Sequence, residues 1–541
     1  MVMGSSTSTS AIPPTETAAR IKDRKMPVGI AWNVCAAELK PLLILLLLIC
    51  SLATLLQFLP PRFFLSPSDI RRCLSPAAAA AAASHPTDHH SNYHHNYSYP
   101  NNPASAHPHS SSNSNSNRIR DHLLSKDGIL KRAFRPYGSA AYNFIMMSAY
   151  RGGPHTFAVV GLSSKPLHLY GKPTYQCVWV PPHHNHNHNR GPLSSLSVPG
   201  QRILPDWGYG RVYTVVVINC TFPTPAGADG KGGQLLVQAA TNGGGDRTVN
   251  ITDTILAMDE TPQDFARFLA QFNSRPMYDY LYCGSPLYGN LSPQRVREWL
   301  AYHVRLFGAR SHFVMHDAGG VRDGGLMQVL RPWMDKGFVT LQDVRDQERF
   351  DGYYHNQFLI VNDCLHRYRF AARWMFFFDV DEFIYIPKKN TIKSVVDSLS
   401  DFTQFTIEQI PMSNKLCLSQ DAPTAFRKWG FEKLVYRDVK RGIRRDRKYA
   451  VQPRGVFASG VHISQNFVGK STHRTGARIR YFHYHGTIAE RREPCRQFLD
   501  NATEITVDGV PYVMDTTMRD AAGPVKSFEL KMIGSAPPHG S

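Results

Sequence analysis

Hydrophobic and polar positions divide the 541-residue chain into stretches of different period. Leu42 to Leu59 is an almost unbroken apolar run of eighteen residues between Pro41 and Pro60. As a helix it would cover about 27 Å, the thickness of a thin bilayer. The run starts well inside the chain and no small-residue cleavage pattern follows it, which predicts an anchor and not a removed leader. Arg20, Lys22, Arg24, Lys25 and Lys40 precede it, and Arg62, Arg71 and Arg72 follow. That bias predicts a cytosolic tail over 1–41 and a transmembrane helix over 42–59, with the bulk of the chain in the lumen. Residues 60–135 read as a stem, because Ala77–Ala83 and the Ser/Asn/His/Pro-rich stretch after it cannot bury a core.

Short runs rich in β-branched and aromatic residues come next: Tyr142–Tyr150, Phe157–Leu162, Tyr175–Val180, Val212–Cys220 and Gln234–Ala239. Gly/Pro/Asn clusters separate them, which predicts an all-β sandwich or barrel over 136–258. Trp179, Trp207, Tyr209 and Tyr213 are its candidate sugar-stacking rings. Beyond Asp259 the period changes. A strand at Tyr280–Cys283 precedes a helix opened by Ser292-Pro293, striped by Val296, Trp299, Leu300, Val304 and Phe307, and stopped by Gly308. Strands at His312–His316 and Phe338–Val344, a helix at Asn356–Arg369 and an apolar strand at Trp374–Phe378 complete an α/β alternation over 275–515. Such an order predicts a mostly parallel sheet that binds ligands beyond the carboxyl ends of its strands. Residues 516–541 read as a C-terminal tail.

Charge and cysteine content narrow the partners. The chain carries 61 Lys+Arg against 42 Asp+Glu, and eleven of the basic residues fall between Arg427 and Arg454 with only three acids. This admits nucleic acid, an anionic surface or an acidic polymer; a lumenal domain excludes nucleic acid and leaves a nucleotide diphosphate or an acidic polysaccharide. Six cysteines lie beyond the stem, with Cys177 and Cys220 the expected pair within the β-rich segment. Asn96, Asn219, Asn250, Asn290 and Asn501 open glycosylation triplets, the fourth weakened by Pro293.

The chemistry concentrates in Trp374–Phe383, a wholly apolar strand that ends in Asp379, Asp381 and Glu382. Two aspartates one residue apart suit Mn²⁺ or Mg²⁺, which take oxygen ligands and phosphate. A haloacid-dehalogenase-type phosphatase also starts from Asp-x-Asp, but needs Thr or Val where this chain has Phe383. The anchor, stem and triplets favour a nucleotide-sugar glycosyltransferase of type A (Rossmann-like) fold.

Three runs carry a closer resemblance: Phe376–Glu382, Asn362-Asp363-Cys364-Leu365 with Arg367-Tyr368-Arg369, and Tyr481-Phe482-His483-Tyr484-His485. They resemble glycosyltransferase family 92. Phe405–Gln409, Trp429–Lys433 and Gly442–Ala450 are similar to the plant β-1,4-galactan synthases within it, and the likeness spans roughly 135–515. It implies a single-pass type II Golgi enzyme, with a homodimer expected in the manner of Golgi transferases, that moves galactose from UDP-galactose onto the β-1,4-galactan of pectic rhamnogalacturonan I with inversion. It also implies that the β-rich segment is a carbohydrate-binding module. Asp381 is the expected direct ligand of Mn²⁺ (or Mg²⁺), and Asp379 reaches the metal through water or binds the ribose. His483 is the expected further ligand, with His485 and His462 as rivals. Glu432 is the first choice for the base, with Glu408 and Asp421 as alternatives, and Trp429 offers a face to the acceptor sugar. Tyr282 and Cys283 should border the nucleotide, with His316 and Asp317 at the next strand end, and Arg373 should pair with the diphosphate or the acids. Two other readings stay open: a lumenal carbohydrate-binding protein with an inactive transferase domain, and a transferase using UDP-arabinopyranose, which lacks only the hydroxymethyl group.

Overall fold

The computed structural model describes residues 122–138, 142–164, 173–182, 195–205, 212–242, 250–321, 325–350, 353–439, 447–489 and 495–534. The apolar run 42–59, Asn96, Trp207, Tyr209 and residues 440–446 of the basic segment lie outside them. Among the described residues no helix is long and apolar enough to cross a membrane.

The β-rich segment forms an eight-stranded antiparallel sheet in the order Asn250–Glu260, Gly233–Asn242, Thr174–Val180, Leu196–Ile203, Tyr213–Thr221, Thr156–Ser164, Phe144–Arg151 and Arg135–Tyr137. The Leu196–Ile203 strand pairs with Thr174–Val180 through its first half and with Tyr213–Thr221 through its second, so the sheet folds over at this strand. Gly200 lies at the change of partner, where a Cβ would come within 2.9 Å of Ile218 and Tyr175. The two halves then face one another, with Phe144, Phe157 and Ile218 meeting Trp179, Val237 and Ile255. The Cys177–Cys220 disulfide crosses this core, as expected from the sequence. Trp179 and Tyr213 are not exposed sugar-stacking rings: both are buried, and Trp179 stacks on Phe157.

Alternate residues of the same strands, Ile145, Met147, Val160, Val215 and Val217, project the other way onto Leu359, Ile360 and Phe350. Burial on both faces explains why these strands read as continuous apolar runs without a polar side.

The second sheet has eleven strands. Its centre is parallel: Val339–Asp343, Ser311–Asp317, Tyr278–Cys283 and Ala372–Phe377 lie side by side. Antiparallel Arg447–Val451 and Gln404–Pro411 extend it, followed by Arg480–His483 and Glu382–Tyr385. The helix Pro293–Phe307 packs on it, started by the Ser292 hydroxyl and stopped at Gly308, which adopts φ 80°. The Cys283–Cys364 disulfide ties a central strand to the helix Gln357–Arg367.

Two boundary expectations change. Residues 122–132, read as the end of the stem, form a hairpin whose second strand, Leu130–Arg132, pairs in parallel with Val339–Asp343. Residues 517–533, read as tail, form a helix that packs Met518, Ala522 and Val525 into the main core.

Arg132 explains the first change. Its guanidinium makes a two-pronged bond to Asp363 at 2.8 Å, with both side chains fully buried. Asp363 also accepts from Ser148 and Tyr150 of the folded sheet, at 2.6 Å each. Burial alone would raise the Asp363 carboxyl, but Arg132, Arg367 and the two hydroxyls hold it below its usual range. One carboxylate therefore joins the N-terminal hairpin, the β-rich layer and the helix Gln357–Arg367. Removing one partner of a buried pair strands the other charge, so Arg132→Ala should cost about 3–5 kcal/mol. Urea unfolding of the purified chain checks this; a loss below about 1 kcal/mol, typical of a surface pair, would contradict it.

Candidate active site

The site is built where the apolar strand Ala372–Phe377 runs out. Phe378 is the last buried ring, and the chain turns through Asp379-Val380-Asp381 before re-entering the sheet as Glu382–Tyr385. The turn closes on itself: the Asp379 N–H donates to Glu382 Oε2 at 2.7 Å, and the Glu382 N–H donates to the Asp379 carbonyl at 3.2 Å. The helix Pro293–Phe307 clamps it from behind. Trp299 donates its indole N–H to the Glu382 carbonyl at 2.8 Å, Tyr302 donates to the Ile384 carbonyl at 2.8 Å, and His303 Nε2 accepts from the Ile384 N–H at 3.1 Å. His303 Nδ1 lies 2.8 Å from the Trp299 carbonyl, so each ring nitrogen of a neutral imidazole has a complementary partner.

The three acids meet different partners. Asp379 Oδ2 accepts from the Lys448 ammonium at 2.7 Å, and Oδ1 from the Gln357 amide at 3.2 Å. Lys448 is also 3.6 Å from Glu382, and its side chain is 2% exposed. Asp381 Oδ2 accepts from the Gly486 N–H at 2.7 Å, while Oδ1 faces His483 Nε2 at 3.6 Å. On the far side of that ring, His483 Nδ1 lies 2.7 Å from the Gln409 amide. The Gln409 amide N–H donates to Nδ1, so the ring carries its proton on Nε2, facing Asp381. Ligand atoms of Asp381, His483 and His485 lie within 4.8 Å of one another. One carboxylate and two imidazoles form a donor set suited to a divalent first-row ion.

Electrostatics follow from this placement. Burial would raise Asp379, but the Lys448 charge and hydrogen bond hold it below its usual range. Burial pushes Glu382 up to about 7 despite Lys448. Burial would lower Lys448, yet Asp379 and Glu382 keep it protonated well above its usual value. Burial would likewise lower His483, and its hydrogen bond and attraction to Asp381 raise it instead.

A family model for glycosyltransferase family 92 matches residues 278–517, which include the acidic turn, Lys448 and both histidines. The sequence is 53% identical over 518 residues to an Arabidopsis thaliana protein named galactan beta-1,4-galactosyltransferase GALS3, covering 95% of this chain and 96% of that one. The chain belongs to glycosyltransferase family 92. A second Arabidopsis thaliana protein of the same name, GALS2, is 54% identical over 95% of this chain and 97% of its own length. A Caenorhabditis elegans beta-1,4-galactosyltransferase, galt-1, is 27% identical over 218 residues, 38% of this chain and 48% of its own length.

In this family 92 glycosyltransferase the expected site residues separate into two groups. Asp381, His483 and His485 come together; His462, exposed and 3.0 Å from the Arg447 carbonyl, stays out of the group. The other expected residues have different partners. Glu432 caps the short helix Gly430–Lys433, accepting from the Trp429 N–H and pairing with Lys526 at 2.5 Å. Asp421 is buried between Lys428 and Arg519. Trp429 is buried against Phe431, beneath Arg297 and Lys526, and offers no open face to an acceptor. Arg373 stands at the opposite end of its strand from the acids and pairs with Asp397 at 2.9 Å. Tyr282 is buried against Trp299 and Phe378, and Cys283 is consumed in its disulfide. His316 is buried too. Asn219 is part-exposed and Asn290 and Asn501 are exposed, whereas the side chain of Asn250 lies outside the described residues.

The described residues of the basic segment do not form one solvated face. Lys428, Arg437, Arg447 and Lys448 pair with Asp421, Asp515, Glu408 and Asp379, and Arg454 stacks over Phe272 and Phe370. Lys448, Gln357 and Gln409 are the functional residues that the sequence reading missed. The local signal is a lysine directly ahead of Tyr449-Ala450-Val451 in a buried strand.

Burial pushes His303, His316 and His366 down to about 3 and His312 to about 4. All four protonate below about pH 6.5 when unfolded but stay neutral in the fold until near their lowered values. Stability present above pH 6.5 is therefore lost as the pH falls toward 4. Urea midpoints measured from pH 7 to pH 4.5 should fall steadily, and a flat profile would count against neutral buried histidines.

Proposed function

We propose that this glycosyltransferase extends β-1,4-galactan by inverting transfer of galactose from UDP-galactose, using Mn²⁺ or Mg²⁺ held by Asp381, His483 and His485. The observation that carries the reading is the Asp381–His483–His485 group at the carboxyl end of a parallel sheet, in a chain more than half identical to proteins named galactan beta-1,4-galactosyltransferases. When bound, the ion supplies Lewis-acid charge to the departing diphosphate. Gln409 orients His483, the Gly486 N–H fixes Asp381, and the Trp299–Tyr302–His303 clamp holds the turn, so the ligands are arranged in advance.

An inverting displacement also needs a base for the acceptor hydroxyl. Glu408 is the least committed of the three candidates. It is half-exposed, its pair with Arg447 is loose at 3.5 Å, and it lines a cleft of about 70 Å³ with Gln409, Pro411, Arg437 and Arg480. Glu432 and Asp421 each hold tighter structural ion pairs. The apolar run 42–59 supports a Golgi membrane anchor, and the pectic acceptor rhamnogalacturonan I fits a chain whose relatives are named for galactan. The donor choice of galactose over arabinopyranose, a carbohydrate-binding role for the β-rich layer and a homodimer belong to the same reading.

Incubation of the purified chain with UDP-galactose, Mn²⁺ and a short β-1,4-galactan should lengthen the acceptor. Asp381→Ala should abolish extension, and Glu408→Gln should lower kcat by about 10²–10⁴-fold with little change in KM for the donor. Extension that survives Asp381→Ala would remove the metal-site reading. Full turnover by Glu408→Gln would remove the base assignment alone.

A further inference from the structure

The acidic turn holds three carboxylates: Asp381 groups with both histidines, and Glu382 Oε1 lies 3.9 Å from His483 Nε2. Asp379 is fully committed elsewhere: one oxygen takes the Lys448 ammonium, the other the Gln357 amide. Glu382 bonds the Asp379 N–H and lies 3.6 Å from the same ammonium. Strand register fixes this arrangement. Tyr449 pairs with Phe377 in the neighbouring strand, so Lys448, one residue earlier on an antiparallel partner, reaches just past the end of that strand to the turn. The Lys448 side chain is 2% exposed, and a buried charge without its partner is strongly unfavourable.

We propose that Lys448 is a positioning residue that withdraws Asp379 from the metal and restricts the protein's ligands to Asp381, His483 and His485. This rests on the metal reading above. Lys448 acts as a built-in monovalent counter-ion. With all three acids ionised the turn carries three negative charges; Lys448 offsets one and a divalent ion the other two. Without the lysine charge, Asp379 would keep only the Gln357 amide as a partner, two positions from a ligand, and the ion would draw it in. The site would then change from a carboxylate with two imidazoles to two carboxylates with two imidazoles.

Mn²⁺ affinity of the full-length chain in detergent, followed by the loss of the free-ion paramagnetic resonance signal, tests this without substrate. Asp381→Asn should weaken binding by more than about tenfold, whereas Asp379→Asn should change it by less than about threefold. In Lys448→Met the released Asp379 joins the ion, so adding Asp379→Asn in that background should now weaken binding by more than about tenfold. Lys448→Arg, which keeps the charge, should restore insensitivity to Asp379→Asn. If Lys448→Met fails to fold, the comparison of the two single aspartate variants still decides the matter. Equal losses in Asp379→Asn and Asp381→Asn would overturn the proposal while leaving the metal reading intact. A wild-type chain that binds no Mn²⁺ would overturn both.

Discussion

The architecture turns on placing three carboxylates at the end of a strand that is apolar from Trp374 onward. Such a cluster is costly in a protein interior unless opposite charge and hydrogen bonds meet it. Lys448 meets it from the adjacent strand, backbone N–H groups of Asp379 and Gly486 meet it from the turn and from the segment after His483, and Gln357 meets it from a helix terminus. The same contacts explain why the strand order is what it is. Arg447–Val451 lies next to Ala372–Phe377, out of sequence order, and delivers the ammonium to the carboxyl end of the sheet.

The β-rich layer connects to the turn through one helix. Gln357–Arg367 carries Gln357 at its start, bonded to Asp379, and Asp363 and His366 at its end, against the folded sheet. Arg132 locks that second end, with Ser148 and Tyr150 on the same carboxylate. The layer is therefore packed against the transferase domain through a two-faced sheet, with a buried ion pair fixing the register of the contact. Losing either partner of this pair would leave an uncompensated buried charge at the contact.

Local pattern made part of this legible. The apolar strand ending in acids, the Ser292 cap and Gly308 stop, and the two-layered β segment with its Cys177–Cys220 link all have signals within a few residues. His483 and His485 are readable as a pair, because Tyr484 between them is buried in the core. What local pattern did not disclose were long-range charge partners. Lys448 looks like one more basic residue in a basic segment until the register brings it to Asp379, 69 positions away. Glu432 and Asp421 look like open acids until the C-terminal helix supplies Lys526 and Arg519. Arg132 looks like the end of a spacer until Asp363, 231 positions on, gives it a buried partner.

The most direct measurement is anomalous X-ray scattering from crystals of the chain grown with Mn²⁺. The account predicts one peak bounded by Asp381, His483 and His485, with Asp379 still bonded to Lys448. A peak shared by Asp379 and Asp381, with the lysine displaced, would contradict it.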